Sequence, residues 1–132
     1  MPKILVFEDD PNISDMYKLK LQHNGFDVRV INAPGDVVQQ VKDFAPDLLI
    51  LDILLPGMSG LSVLEEVRKD EALTTLPVVM LTNLSENAMV KRAKELGALG
   101  FYIKANFTPG EIVDIIKKII AGESTEGTER ME

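Results

Sequence analysis

Short β-branched runs alternate with amphipathic stretches along most of the chain. Lys3–Phe7 (KILVF) predicts a strand. Pro11–His23 follows as a helix, with Ile13, Met16, Tyr17 and Leu21 near one face, and Asn24-Gly25 ends it. Asp27–Ile31 alternates and suits a strand with one less buried face. Pro34–Phe44 predicts a weaker helix carrying Val37, Val38 and Val41. Asp47–Leu51 (DLLIL) is a continuous apolar run, as expected of a parallel strand covered on both faces. Ser59–Lys69 predicts a third helix with Leu61, Leu64 and Val67 inward. Pro77–Leu81 predicts a fourth strand, Ser85–Leu96 a fourth helix closed by Gly97, and Gly100–Ile103 a short fifth strand. In the last helix Ile112, Ile115, Ile116, Ile119 and Ile120 follow helical spacing. Its start, Thr108-Pro109-Gly110-Glu111, combines an N-cap Thr, Pro at the first position and Glu at the third. The reading is one domain over residues 1–122, then a polar tail, 123–132, expected to be disordered.

Five strands alternating with five helices predict an α/β protein with a parallel sheet. Right-handed crossovers favour the flavodoxin-like order 2-1-3-4-5, in which ligands bind beyond the carboxyl ends of the strands. Those ends carry the informative residues. The first strand runs into Glu8-Asp9-Asp10, the third ends at Asp52, the fourth at Thr82 and the fifth at Lys104. The topology therefore brings carboxylates, a hydroxyl and an ammonium to one edge. Each has a plainer reading when taken singly: Asp9 as loop charge, Asp52 as a turn residue, Thr82 and Lys104 as ordinary strand ends. Asp10 precedes Pro11 and is read as the N-cap of the first helix, not as a metal ligand. The joint position at four strand ends is what gives the set its force. Clustered carboxylates need a compensating charge. Lys104 supplies part of it, and Mg²⁺, which prefers oxygen ligands, would supply more. A carboxylate can also act as a nucleophile and form an acyl phosphate, and phosphoryl transfer needs mainly positioning and charge stabilisation.

Composition narrows the classes. The 132 residues carry a net charge of −7, and such a surface repels phosphate backbones, so direct nucleic-acid binding is not expected. With no cysteine, disulfides and thiolate metal sites are excluded. No apolar run is long enough to span a bilayer and no signal-peptide pattern is present, so no membrane association and a cytoplasmic location are expected. The one histidine, His23, falls in the last turn of a helix, where a cation is favoured; a surface role is the simpler reading.

The segments ILVFEDDPNI, LLILDILLPGMSGLSVL, PVVMLTN and GALGFYIKA, in this order and spacing, resemble the response-regulator receiver family of two-component signalling, over roughly residues 3–121. The third of these segments carries the threonine that matches the family's switch hydroxyl, and the second includes Pro56 and Gly60. The resemblance implies that Asp52 accepts phosphate from a phosphohistidine on a sensor histidine kinase or phosphotransfer protein. It implies Mg²⁺ held by Glu8, Asp9, Asp52 and the backbone carbonyl of Leu54. Lys104 would pair with the phosphoryl group and Asp52. Thr82 would move to hydrogen-bond the phosphoryl oxygen, and Phe101, at the switch-aromatic position, would turn inward. The face made by the fourth helix, fifth strand and fifth helix would then change for a downstream effector protein. With no output segment read after the last helix, the signal is expected to leave by a protein contact, from a monomer or a phosphorylation-dependent dimer.

Three positions depart from the family pattern. Ala105, not proline, follows Lys104, and a cis peptide before alanine would cost about 3 kcal/mol. Asn83 stands where a small residue usually follows the switch threonine. Leu54 and Leu84 lie two residues beyond Asp52 and Thr82, flanking the family's route for a hydrolytic water; two apolar side chains there are expected to slow self-dephosphorylation. Other readings are weaker. A haloacid-dehalogenase enzyme needs a second Asp where Leu54 stands. A flavodoxin-like cofactor binder needs a Ser-, Thr- and Gly-rich loop where Glu8-Asp9-Asp10 stands, and no P-loop lysine motif occurs. The main alternative is a pseudo-receiver, an unphosphorylated interaction module of the same fold.

Overall fold

The computed structural model describes residues 1–31, 35–55, 57–84 and 86–122. Five parallel strands, β1 (Lys3–Phe7), β2 (Asp27–Ile31), β3 (Leu48–Leu51), β4 (Val78–Thr82) and β5 (Gly100–Ile103), form one sheet in the order β2-β1-β3-β4-β5. The helices are α1 (Pro11–His23), α2 (Val37–Phe44), α3 (Gly60–Lys69), α4 (Asn87–Glu95) and α5 (Pro109–Ile120). This is the flavodoxin-like arrangement expected from the alternation of elements.

Strand side chains alternate between two cores, because successive residues face opposite sides of a pleated sheet. Leu5, Phe7, Leu49, Leu51, Val78, Met80 and Phe101 pack with residues of α2, α3 and α4. Ile4, Val6, Leu48, Ile50, Val79, Leu81 and Tyr102 pack with α1 and α5. All four residues of β3 are buried, as its unbroken apolar run requires of a strand covered on both faces.

Caps decide where the helices begin. Asp10 caps α1 as expected, accepting from the amides of Asn12 and Ile13. At α5 both halves of the capping box form: Thr108 accepts from the Glu111 amide, and Glu111 accepts from the Thr108 amide. Three starts differ from expectation. The described part of α2 begins at Val37 with Asp36 as cap; Pro34 lies outside the described residues. Ser59 is the cap of α3 rather than its first residue. Helix α4 begins at Asn87 with no side-chain cap, and Ser85 lies outside the described residues. Strands β3 and β4 begin one residue later than expected, and β4 includes Thr82. The tail, 123–132, and Pro56 also lie outside the described residues. A two-residue antiparallel ladder, Leu54–Leu55 with Met58–Ser59, was not anticipated. It folds the segment after β3 back on itself before α3.

Candidate functional site

The carboxyl ends of β1, β3, β4 and β5 lie side by side, and the residues that follow β1, β3 and β5, Glu8, Asp52 and Lys104, meet there. Glu8 follows Phe7, with its amide donating to the Ile31 carbonyl (3.2 Å). Asp52 follows Leu51, with its amide donating to the Phe7 carbonyl (3.2 Å). These main-chain bonds extend the parallel ladder one step beyond each strand, so both carboxylates are placed by rigid sheet. Both are buried, Glu8 at 4% and Asp52 at 6% exposure, and Asp9 beside them is exposed.

Lys104 leaves the end of β5 and reaches into this cluster. Its Nζ donates to Asp52 Oδ2 (2.5 Å) and to Glu8 Oε2. Burial disfavours the ammonium and is the largest single influence on it. The hydrogen bonds to Asp52 and Glu8 and their charges together prevail, so the Lys104 pKa lies above the ordinary lysine value. Burial also pushes the Glu8 carboxyl up, against the opposing pull of Lys104, with the charge of Asp52 adding to the rise. Two buried carboxylates thus share one cation. Lys104 thus offsets part of the cluster's charge, as expected, and it bonds Glu8 directly as well as Asp52, the partner that the resemblance implies.

The other oxygen of Asp52, Oδ1, accepts from the Leu54 amide (3.0 Å), which fixes the carboxylate's rotation. Thr82 is fully buried at the end of β4, and its Oγ1 accepts from the Leu84 amide (3.3 Å). Phe101 is 3% exposed and packs in the core on the α2–α4 side. The side chain therefore already occupies an inward position in this structure. Leu54 is 66% exposed beside Asp52. The Lys104–Ala105 peptide is trans, as is every described peptide.

Glu8, Asp9 and Asp52 each present one oxygen, and the three oxygens lie within 4.8 Å of one another. A set of hard oxygen donors with excess negative charge fits Mg²⁺, which binds through one or a few carboxylates and keeps several waters. With Lys104 against three carboxylates, the site has charge left for a cation to neutralise.

Gly60 supports the site in a way that the sequence pattern only hinted at. Its amide donates to the Ile53 carbonyl (2.8 Å). A β-carbon there would overlap the Asp52 carbonyl oxygen and lie 2.8 Å from its carbonyl carbon. The start of α3 thus touches the main chain of Asp52, and only glycine allows the approach. Gly60→Ala is expected to cost about 1–3 kcal/mol through overpacking. It should also displace Asp52, seen as shifted amide resonances for residues 52–54. A variant with wild-type stability and resonances would show that the contact is not limiting.

Comparison with known proteins identifies the assembly. Residues 4–117 match the response regulator receiver domain family. The chain belongs to that family. It is a receiver domain of two-component signalling, a signalling domain rather than a classical enzyme, and such domains interact with histidine kinases and effectors. It is 33% identical over 129 residues to the DNA-binding response regulator MtrA of Mycolicibacterium smegmatis, covering 98% of this chain and 55% of that protein. It is 36% identical over 118 residues to the phosphate regulon transcriptional regulatory protein PhoB of Escherichia coli, covering 89% of this chain and 51% of that one. The chain spans about half the length of the curated relatives it matches. Among solved structures, a CheY-like receiver domain protein from Methanospirillum hungatei superposes with a TM-score of 0.83 at 25% identity, covering 96% of this chain and 99% of that one. The chemotaxis protein CheY4 of Vibrio cholerae, at 24% identity, shares the fold with a TM-score of 0.81, covering 90% of this chain and 98% of that one. Among the described residues, no helix is long and apolar enough to cross a membrane.

Proposed function

We propose that this receiver domain is a phosphorylation switch in which Asp52 takes a phosphoryl group from a phosphohistidine on a histidine kinase or phosphotransfer protein. The observation that carries this reading is the junction of Asp52, Glu8, Asp9 and Lys104 at the carboxyl ends of three strands. A carboxylate oxygen of Asp52 attacks phosphorus. An acyl P–O bond forms, the donor's P–N bond breaks, and the imidazole leaves with a proton taken from solvent. Lys104, fixed against Asp52 Oδ2, is in place to meet charge on the phosphoryl oxygens. Glu8, Asp9 and Asp52, with the backbone carbonyl of Leu54, would hold Mg²⁺. When bound, it supplies positive charge to the transferring group. Thr82 would exchange its bond from the Leu84 amide for one to the phosphoryl group, and Phe101, already inward, would need no inward turn. The change would be read by an effector protein on the face of α4, β5 and α5, a population shift driven by new local charge. Cytoplasmic location and action as a monomer or phosphorylation-dependent dimer accord with this role.

The test is incubation with acetyl phosphate and Mg²⁺, followed by intact mass and borohydride trapping of the acyl phosphate. A gain of one phosphoryl group trapped at residue 52 is expected. No gain with acetyl phosphate or any histidine kinase donor would favour the pseudo-receiver reading.

Leu54 and Leu84 bear on how long the signal lasts. Leu54 is exposed at the mouth of the site, and Leu84 is half-buried beside Thr82. Neither offers a hydrogen bond to a water approaching the acyl phosphate, so slow self-dephosphorylation is expected. The double change Leu54→Asn with Leu84→Glu should speed decay roughly 10- to 100-fold, at or below the lower bound of what a positioned acid or base contributes. Decay followed by loss of phosphoryl mass checks this, and an unchanged half-life would remove these leucines from consideration.

A further inference from the structure

The backbone amide of Ala105 donates to the side-chain oxygen Oδ1 of Asn83, 3.0 Å away. The two residues are 22 apart in sequence, yet their places in the site are equivalent. Asn83 directly follows Thr82 at the end of β4, and Ala105 directly follows Lys104 at the end of β5. These strands are parallel neighbours with Thr82 paired to Ile103. The register therefore sets Asn83 level with Lys104, and its side chain reaches one residue further along.

Lys104 opens a three-residue 3₁₀ turn, Lys104–Asn106, closed by the Phe107 amide on the Lys104 carbonyl (3.3 Å). A single short turn is a weak anchor for a long side chain that must span two carboxylates. The Asn83 bond is a second anchor, applied to the amide next to the Lys104 α-carbon. It ties the lysine's main chain to the loop that begins at Thr82, and that loop is held in turn by the Leu84 amide on Thr82 Oγ1. Asn83 and Ala105 are both exposed. Water can replace the bond at little cost to folding, so its effect falls on position rather than on stability.

We propose that Asn83 is a positioning residue that latches the Thr82 loop to the Lys104 turn and thereby sets the lysine against Asp52. The proposal rests on the phosphorylation reading only for its consequence in rate. The latch itself belongs to the unphosphorylated protein. Removing the oxygen frees the turn, so the ammonium spends less time at Asp52 Oδ2. An Asp at the same position keeps an acceptor oxygen and keeps the latch.

The experiment compares wild type, Asn83→Ala and Asn83→Asp by three readouts. In Asn83→Ala, amide exchange at Ala105 should quicken and the Lys104 ammonium resonance should broaden or shift, with a change in Tm of at most about 2 °C. Phosphoryl uptake from acetyl phosphate at saturating Mg²⁺ should slow by about 3- to 10-fold, the range expected for one hydrogen bond acting on geometry. Asn83→Asp should protect the Ala105 amide as in wild type and restore the Lys104 resonance and most of the rate. The latch is overturned if the Lys104 resonance in Asn83→Ala is unmoved, or if uptake there matches wild type. Should wild type take up no phosphoryl group at all, the phosphorylation reading fails, and the Lys104 resonance alone decides for or against the latch.

Discussion

Asp52→Asn is expected to abolish phosphoryl uptake and, without metal, to leave the protein at least as stable as wild type. The first half follows from chemistry: a carboxamide lacks the charged oxygen that forms an acyl phosphate. The second half follows from the burial of Glu8 and Asp52 around one ammonium. Asparagine keeps an oxygen toward Lys104 and removes one charge from the cluster. The gain should be about 0.5–2 kcal/mol, the scale of stabilisation commonly recovered when a strained functional group is relieved. A pH dependence accompanies it. The Glu8 carboxyl lies above its ordinary value of 4.5, with burial the first cause and the charge of Asp52 among the others. A carboxyl raised in the folded state contributes stability that is full below the unfolded value and is lost as pH rises through the folded value. Wild type should therefore lose part of its stability as pH rises above 4.5, and Asp52→Asn should lose less. Urea unfolding across this range, with and without Mg²⁺, measures both. Retained phosphoryl mass in the variant would move the acceptor elsewhere, and a loss of stability would mean that the Asp52–Lys104 pair is a net stabiliser.

Some elements are set by local physics and others by long reach. The bounds of β1, α1, β2 and β5 coincide with expectation, because each is set by a dense apolar pattern or an unambiguous cap such as Asp10. The start of α4 differs from the expected one, since Glu86 makes no side-chain cap bond and nothing in the pattern marks Asn87. The approach of Lys104 to Asp52 was legible because parallel topology alone aligns strand ends, and the same topology sets Thr82 at the neighbouring end. Contacts that depend on reach were not. That Lys104 would bridge to Glu8, that Asn83 would catch the Ala105 amide, and that Gly60 would abut the Asp52 carbonyl are set by side-chain length and helix approach. Asn83 and Ala105 each stood out as departures from the family pattern, yet only the register of β4 against β5 makes them a pair.

Lys104→Ala should have the opposite effect on stability from Asp52→Asn, although both impair phosphorylation. The change leaves Glu8 and Asp52 buried side by side with no cation between them. Removing one partner of a buried ion pair typically costs about 3–5 kcal/mol, because the remaining charge is left uncompensated. The Lys104 ammonium, held above the ordinary lysine value by Asp52 and Glu8 despite burial, stays charged through neutral pH, so the wild-type pair persists there. In the variant the carboxylates can be relieved in only two ways. Acid protonates them, so the variant should recover stability as pH falls. A divalent cation can also neutralise them, so millimolar Mg²⁺ should raise the variant's Tm by more than it raises that of wild type, by the linkage between ligand binding and folding. Phosphoryl uptake should fall by roughly 10²- to 10³-fold, the usual effect of deleting one preorganised charge-stabilising donor. Thermal unfolding over a Mg²⁺ series at two pH values, beside the uptake assay, reads all three. If the variant matches wild type in metal-free stability and gains no more from Mg²⁺, then Lys104 does not neutralise this cluster, and the lysine acts on the phosphoryl group alone.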